Sequence, residues 1–108
     1  MTTLTGSRIR HTVSFALKHL PGSAQESSFL EAAAALASLP GVEQFESLRQ
    51  TSTKNAFAHG LSMEFADQAA YDRYNTHPDH VAFVQGRWIP EVVDFMEIDF
   101  ASSPMTDS

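Results

Sequence analysis

The sequence predicts an α+β fold in which two helices cover one face of a four-stranded antiparallel sheet. Two segments alternate apolar and polar residues with the period of a half-buried strand, and two others repeat apolar residues at helical spacing. Pro-Gly pairs and short polar turns separate several of these segments. The predicted order along the chain is βαββαβ.

The first strand is predicted over residues 8–18. Its apolar face contains one histidine, and the set is Ile9, His11, Val13, Phe15 and Leu17. A Pro-Gly pair ends the strand, and Ser23 with Glu26 three residues later is a capping box that begins a helix. Apolar residues at helical spacing continue to Ala37, after which a second Pro-Gly pair ends the helix.

The two middle strands differ in the regularity of their pattern. Residues 42–50 alternate imperfectly, which predicts a bulge or an edge position in the sheet. A polar turn is predicted over residues 51–55. Residues 56–65 alternate cleanly, and one face carries Phe57, His59, Leu61, Met63 and Phe65.

The second helical segment is predicted to be broken. Asp67 caps a helix that extends to about Asn75, and residues 76–79 interrupt it with a proline. Helical spacing resumes over residues 80–89, and the next proline is predicted to end it. The last strand is predicted over residues 92–100. The βαββαβ order is the ferredoxin-like arrangement.

Composition bounds the organisation and the partners of the chain. Its 108 residues predict one domain over residues 8–100, with residues 1–7 and 101–108 as flexible tails. A net charge of −6 disfavours nucleic acid and anionic membrane surfaces as partners. The absence of cysteine excludes disulfides and thiolate chemistry. We expect a cytoplasmic protein, because no segment has the pattern of a signal peptide or a membrane span.

The second face of the two regular strands predicts a homodimer. It carries small or weakly polar side chains where a solvated face usually carries longer charged ones. They are Thr12, Ser14 and Ala16 in the first strand, and Ala58, Gly60 and Ser62 in the third. Small side chains suit close approach by another sheet, so two copies packed face to face, or closed into a barrel, would cover this surface. The alternative is a face in contact with solvent.

Four side chains are candidates for acid–base chemistry. His11 and His59 lie on the core faces of two strands, while Tyr74 and His80 flank the break in the second helical segment. Imidazole exchanges protons near neutral pH, and a tyrosine hydroxyl can donate to a developing oxyanion. We expect these four groups to share a pocket. Its other predicted lining residues are Phe29, Ala33, Phe57, Leu61, Phe83 and Trp88.

Structural roles for the same residues remain open. A histidine on an apolar face is often a core residue with a hydrogen-bond partner, and a histidine at a helix start can bond a carbonyl. His77 and His80 alone do not make a metal site, since three or four ligands are needed, and we expect no metal. The sequence contains no phosphate-binding glycine loop and no GxSxG motif, so nucleotide-dependent chemistry and acyl hydrolysis are not expected.

Four elements of the chain resemble the stress-responsive α/β-barrel (Dabb) family. They are the segment from His11 to Lys18, Leu39-Pro-Gly-Val42, His77-Pro-Asp-His80 with Phe83, and Asp99-Phe100. The resemblance implies a dimeric α+β barrel that works without a cofactor.

The family resemblance also implies roles for individual residues. A plant cyclase of this family closes a linear polyketide by aldol condensation without a cofactor. By likeness to it, His80 would be the general base, Tyr74 would hold and polarise a carbonyl, and His11 would support the site. The cyclase has a further tyrosine where this chain has about Ala33, which predicts a pocket of different shape.

Three functional hypotheses follow. The first is a cofactor-independent enzyme that performs cyclisation, isomerisation or an aldol-like reaction on a small apolar carbonyl compound. The second is a non-catalytic homodimer that binds a small apolar molecule or acts as a stress-stability protein. The third, from the wider group of dimeric α+β barrels, is a cofactor-free monooxygenase or a haem-binding relative, which would need an axial histidine facing an open cavity.

Overall fold

A computed structural model describes residues 4–103 of the chain. The predicted βαββαβ order is confirmed, with the second helical segment divided into short pieces. The elements are β1 (Ile9–Leu17), α1 (Ala24–Ala34), β2 (Glu43–Arg49), β3 (His59–Phe65), α2 (Gln68–Thr76), α3 (Pro78–Phe83), α4 (Ile89–Glu91) and β4 (Val92–Ala101). A 3₁₀ turn over Ala35–Ser38 extends α1, and a π-helical turn over Val84–Trp88 joins α3 to α4.

The four strands form one antiparallel sheet in the order β2-β3-β1-β4. In the register of the central strand, His11 lies opposite Met63 of β3 and opposite Asp99 of β4. Directly opposed residues in an antiparallel pair point to the same face. The side chains of these three residues therefore share the face that the helices cover.

The weak second strand is an edge strand with a bulge, as its imperfect alternation predicts. Its pairing with β3 shifts register between Glu43 and Glu46. Gln44, inside the shift, has a φ of +50°, a left-handed conformation that an unpaired bulge residue can adopt. The bulge breaks the two-residue period that the other strands keep.

The core lies between the sheet and the helices and is rich in aromatic rings. Phe15 is fully buried at its centre, with ring centroids 5.7 Å from Phe29, 5.4 Å from His59 and 5.0 Å from Trp88. A second aromatic group joins Phe65 of β3 to α2, at 5.1 Å from Tyr71 and 5.0 Å from Tyr74 in centroid distance. These contacts fix α1 and α2 on the same face of the sheet.

Side-chain caps define where the helices begin. Ser23 accepts a hydrogen bond from the backbone N–H of Glu26, as predicted, while the Glu26 carboxylate accepts from Gly22 and not from Ser23. Asp67 accepts from the backbone N–H of Ala70 and caps α2. Each cap satisfies an N–H group that the first helical turn leaves without an intrahelical partner.

The break between α2 and α3 is narrower than predicted and consists of His77 alone. His77 is extended, its Nδ1 accepts from the backbone N–H of Asp79 at 3.1 Å, and Pro78 opens α3. The prediction that Pro90 ends the helix is wrong, since Pro90 lies inside α4, which ends at Glu91. Proline is tolerated there because the first turn of a helix requires no N–H donor.

The third strand begins later than predicted. It starts at His59, so Phe57 and Ala58 lie in the preceding loop. The Gln50 side chain donates to the carbonyl of Phe57 at 2.5 Å, and the Gln50 backbone N–H donates to the carbonyl of Ala58 at 2.8 Å. These bonds hold the loop against the end of β2.

The face of the sheet opposite the helices is left uncovered by the described chain. Here β4 presents three large exposed apolar side chains, Met96, Ile98 and Phe100. Thr12 and Ser14 lie opposite Ile98 and Met96 in register, on the same face of the sheet. We call the surface formed by these side chains and Phe100 the open face. Its apolar character exceeds what the small side chains of the other strands predict.

The open face also carries a buried carboxylate. Glu64 accepts from Arg10 at 2.5 Å and from Arg8 at 3.2 Å, and the Arg10 hydrogen bond lowers the pKa of Glu64.

No described helix is long and apolar enough to cross a bilayer. The predicted tail residues 1–3 and 104–108 lie outside the described residues, whereas Ser7 donates to the carbonyl of Ala66 at 3.0 Å.

Loss of the Asp67 cap should weaken the fold measurably. We expect Asp67→Ala to lower the free energy of unfolding by about 1 kcal/mol in urea denaturation, because the Ala70 N–H loses its acceptor. Asp67→Asn retains a side-chain oxygen and should stay close to the wild type. Asp72→Ala, on the exposed side of the same helix, is the matched control. Equal losses in Asp67→Ala and Asp72→Ala would contradict the capping role.

Candidate functional site

A cavity of about 360 Å³ lies between the sheet and the broken second helical segment. Its size is within the range of small-molecule sites. Aliphatic and aromatic side chains predominate in its walls, and a few polar groups converge on it. The lining residues are His11, Val13, Leu36, Leu61, Met63, Tyr74, Asn75, His80, Phe83, Val84, Trp88, Ile89, Phe95 and Glu97. Exposed members of this set, including Ile89 and Phe95, form its mouth.

His80 lines this cavity, and one of its two ring nitrogens is bonded to the protein backbone. It is the third residue of α3, fixed by the His77 cap and Pro78. Its Nδ1 lies 3.1 Å from the backbone carbonyl of Asn75, which only accepts hydrogen bonds, so Nδ1 carries the proton. In the neutral ring Nε2 therefore holds the lone pair. Burial lowers the pKa of His80 by more than the hydrogen bond to the Asn75 carbonyl raises it, and the nearby His11 and His77 rings lower it further. The ring is thus kept in its basic, neutral form.

The phenol ring of Tyr74 packs against the His80 ring at a tilted angle. Tyr74 is only 2% exposed, and its ring centroid lies 4.4 Å from that of His80 and 6.4 Å from that of His11. Burial raises the pKa of Tyr74, and the negative charge of Glu97 raises it further. The phenol consequently keeps its proton near neutral pH and can donate it to an oxygen inside the cavity.

His11 is held by a hydrogen-bonded triad in which its own ring and Tyr71 are buried and Asp99 is partly exposed. Its Nδ1 lies 2.6 Å from Asp99 Oδ1 and 3.0 Å from the Tyr71 hydroxyl. That hydroxyl donates its own proton to Asp99 Oδ2 at 2.8 Å. The carboxylate accepts only, so His11 Nδ1 carries a proton and the ring orientation is fixed. Burial, with the hydrogen bond to Asp99 next, raises the pKa of Tyr71.

The structure brings six of the predicted site residues to one cavity. His11, Tyr74 and His80 contribute the polar groups, from β1, α2 and α3. The apolar wall includes Leu61, Phe83 and Trp88. The spatial condition for shared acid–base chemistry is therefore present.

Four predicted pocket residues lie elsewhere. His59 stacks on Phe15, and its Nε2 lies 3.2 Å from Glu26, which keeps the ring outside the cavity. Phe29 and Ala33 are fully buried in the core behind the wall, and Leu36 one turn later lines the cavity instead. Phe57 lies in the loop before β3. The later start of the third strand accounts for the position of Phe57.

Sequence reasoning missed four polar residues that shape the site. Tyr71 lies three positions before Tyr74 on the same helix face, which is a detectable signal. Asp99 and Glu97 alternate along β4 with the residues of the open face. Their side chains therefore lie on the helix-covered face, which can be deduced only when the register of β4 is known. Asn75 acts through its backbone carbonyl, which has no signal in sequence.

Each of the paired histidines around Pro78 has a hydrogen bond to the backbone. His77 uses its Nδ1 to cap α3, while His80 bonds the carbonyl of Asn75. Among residues 4–103, no group of three or more His, Cys, Asp or Glu side chains is arranged to hold a metal ion.

Comparison with known proteins agrees with this architecture. The profile of the stress responsive A/B barrel domain matches residues 9–102. A crystal structure of a Dabb family protein with a ferredoxin-like fold, from Mesorhizobium loti, is 57% identical, with a TM-score of 0.86 over 89% of this chain and 97% of that chain. No curated protein matches the chain.

More distant structures share the fold. A dimeric ferredoxin-like protein of unknown function from Thermobifida fusca is 21% identical, with a TM-score of 0.75 over 90% of this chain and 92% of that chain. The hydroxynitrile lyase of Passiflora edulis is 13% identical, with a TM-score of 0.80 over 91% of this chain and 95% of that chain.

The geometry of His80 predicts its titration. In NMR spectra, we expect the His80 ring, assigned by its loss in His80→Gln, to titrate below the ordinary value of 6.5 and to be neutral with the proton on Nδ1. Because the unfolded chain binds this proton more tightly, the His80 contribution to folding stability falls as the pH drops below about 6.5. A titration at or above the ordinary value, or a proton on Nε2 in the neutral ring, would contradict the described site.

Proposed function

Since the chain belongs to the stress-responsive A/B barrel domain family, we propose that it is a cofactor-independent enzyme that performs acid–base chemistry on a small, largely apolar carbonyl compound. One observation carries the proposal. The basic Nε2 of a neutral His80 and the protonated phenol of Tyr74 line one cavity, with their rings 4.4 Å apart. A base and a hydrogen-bond donor at the same cavity suit the two ends of an enolising C–C=O group.

The proposed step is proton abstraction next to the carbonyl. His80 Nε2 takes a proton from the carbon adjacent to the C=O group and becomes an imidazolium. The electron pair of the broken C–H bond forms the C=C bond of an enolate, and the carbonyl oxygen takes the negative charge. The Tyr74 hydroxyl donates a hydrogen bond to that oxygen, which stabilises the charge most where water is excluded.

His11 supplies a second imidazole at the same cavity, with its ring centroid 6.4 Å from that of Tyr74. Asp99 and the Tyr71 hydroxyl hold its Nδ1 proton, so Nε2 is the nitrogen left for exchange with a ligand. We assign His11 the supporting role of positioning the carbonyl compound or returning a proton to it. Cyclisation, isomerisation and aldol-like reactions all require this pairing of proton removal and proton return.

The walls of the cavity define the substrate. Side chains such as Leu61, Met63 and Phe83 offer dispersion contacts and no hydrogen-bond donor. A largely apolar molecule gains from burial there, and the low polarity strengthens the interaction between Tyr74 and a developing oxyanion. The lyase from Passiflora edulis is an enzyme with this fold, which supports the compatibility of the fold with catalysis.

We extend the proposal to a homodimer in which the open faces of two copies pack together. Met96, Ile98 and Phe100 are large apolar side chains left exposed on one strand. The fold neighbour from Thermobifida fusca is described as dimeric. Two such sheets face to face would bury these side chains and complete the α+β barrel. The cytoplasmic location expected from the sequence remains part of this proposal.

Hydrogen–deuterium exchange tests the acid–base proposal directly. Phenylacetone is a small apolar ketone with an exchangeable methylene group, and its exchange in D₂O is followed by proton NMR. We expect the wild type to accelerate exchange, and His80→Ala to lower the catalysed rate by about a hundredfold or more. Tyr74→Phe should lower it by about a hundredfold, since it removes one oxyanion donor.

Controls separate chemistry from folding. His59→Gln alters an imidazole outside the cavity and should keep the wild-type rate. His80→Asn can still donate to the carbonyl of Asn75 but has no basic nitrogen, so it tests the base if His80→Ala unfolds. A folded His80→Asn protein with the wild-type rate would exclude the proposed base. Ligand binding without exchange in the wild type would favour a non-catalytic binding protein.

The dimer is tested by sedimentation. We expect the wild type to sediment as two chains and Ile98→Glu to sediment as one, because burying a charge between the open faces is unfavourable. Val81→Glu is the matched control, since Val81 is 44% exposed on the helical side and Ile98 is 42% exposed on the open face. Dissociation by Val81→Glu alone, or a monomeric wild type, would contradict this arrangement.

A further inference from the structure

One carboxylate at the cavity has no part in the proposed proton transfer. Glu97 lies in the middle of β4, opposite Val13 in register, and lines the cavity near its mouth. Its side chain is 54% exposed, and its Oε2 lies 4.0 Å from His11 Nε2. That distance exceeds a hydrogen bond, so the carboxylate charge is not neutralised by a close donor there.

The neighbouring carboxylate is in a different condition. Asp99 accepts hydrogen bonds from the Tyr71 hydroxyl and from His11 Nδ1, which spread its charge over two donors inside the protein. Glu97 instead lines the cavity, and its negative charge helps raise the pKa of Tyr74. Glu97 is therefore the cavity residue whose negative charge a ligand would meet.

No positive side chain among the described lining residues offsets this charge. The set contains neither lysine nor arginine. Arg87 precedes the lining residue Trp88 in the sequence, but it bonds the Glu91 carboxylate at 2.5 Å and Ser28 at 3.1 Å. Arg8 bonds Glu43 and Glu64 on the other side of the sheet. An anionic ligand would thus lose hydration and gain no ion pair in return.

We propose that Glu97 is a specificity-determining residue that makes the cavity select uncharged carbonyl compounds and reject carboxylates. The inference rests on the proposed function and narrows its substrate class. Two like charges about 4 to 6 Å apart near a protein surface repel strongly enough to weaken binding by about tenfold. Neutral ligands are not repelled by Glu97, and cationic ligands are attracted to it.

Three isosteric probes test the selection. Benzoate, benzamide and benzamidine share size and planarity but carry a negative charge, no charge and a positive charge. Trp88 is the only tryptophan in the chain and lines the cavity, so its single indole N–H resonance reports binding by NMR. Titrations at about pH 8 keep ordinary imidazoles neutral.

The expected result is a charge ranking that depends on Glu97. Benzamide should bind the wild type about tenfold more tightly than benzoate, with benzamidine at least as tight as benzamide. Glu97→Gln should bring benzoate to within about threefold of benzamide and leave benzamide unchanged. Glu46→Gln removes the same charge from β2, the opposite edge of the sheet, and should keep the wild-type ranking.

The outcomes separate this inference from the proposed function. Equal affinity of benzoate and benzamide for the wild type, or a ranking that survives in Glu97→Gln, overturns the role of Glu97 and leaves the His80 mechanism standing. If none of the probes shifts the Trp88 resonance at millimolar concentration, the cavity is not a site for such ligands and both proposals fail.

Discussion

The pairing of β1 with β4 is the constraint on which the site depends. This register places Asp99 opposite His11 on the helix-covered face, where the carboxylate fixes the imidazole and accepts the Tyr71 hydroxyl proton. A shift of one residue would turn Asp99 to the open face and an apolar side chain of β4 to the histidine. The antiparallel ladder thus sets the chemistry of the cavity as well as the shape of the sheet.

The polar side chains are tolerated in an aromatic core because their hydrogen bonds are made to other groups of the protein. No buried side-chain nitrogen or oxygen in residues 4–103 lacks a hydrogen-bond partner. In the Tyr71–Asp99–His11 triad, the partly exposed Asp99 carboxylate bonds the two buried groups, and the carbonyl of Asn75 bonds His80. Fully paired polar clusters of this kind add specificity to a core, whereas partly paired ones destabilise it.

The fold could be predicted from the sequence because the alternation of apolar and polar residues and the helix caps are local signals. Alternation placed His11 and Leu61 on the covered face, and Asp67 marked the start of α2 correctly. The pocket was only partly readable, since depth along a helix and strand ends are set by tertiary packing. Phe29 and Phe57 fit the pattern but lie outside the cavity, and the partnership of His11 with Asp99 required a register that periodicity alone does not give.

The π-helical turn over Val84–Trp88 determines how one wall of the cavity is assembled. Phe83 and Val84 line the cavity, and so do Trp88 and Ile89, five positions further on. A π-helix bonds residues five positions apart and has more residues per turn than an α-helix, so the members of each pair lie closer to one face than they would in an α-helix. Such turns hold an extra residue within a helix. Chain length at this turn is therefore a separate variable from side-chain identity, and gain or loss of one residue would re-aim half of the wall while the sheet stays as it is.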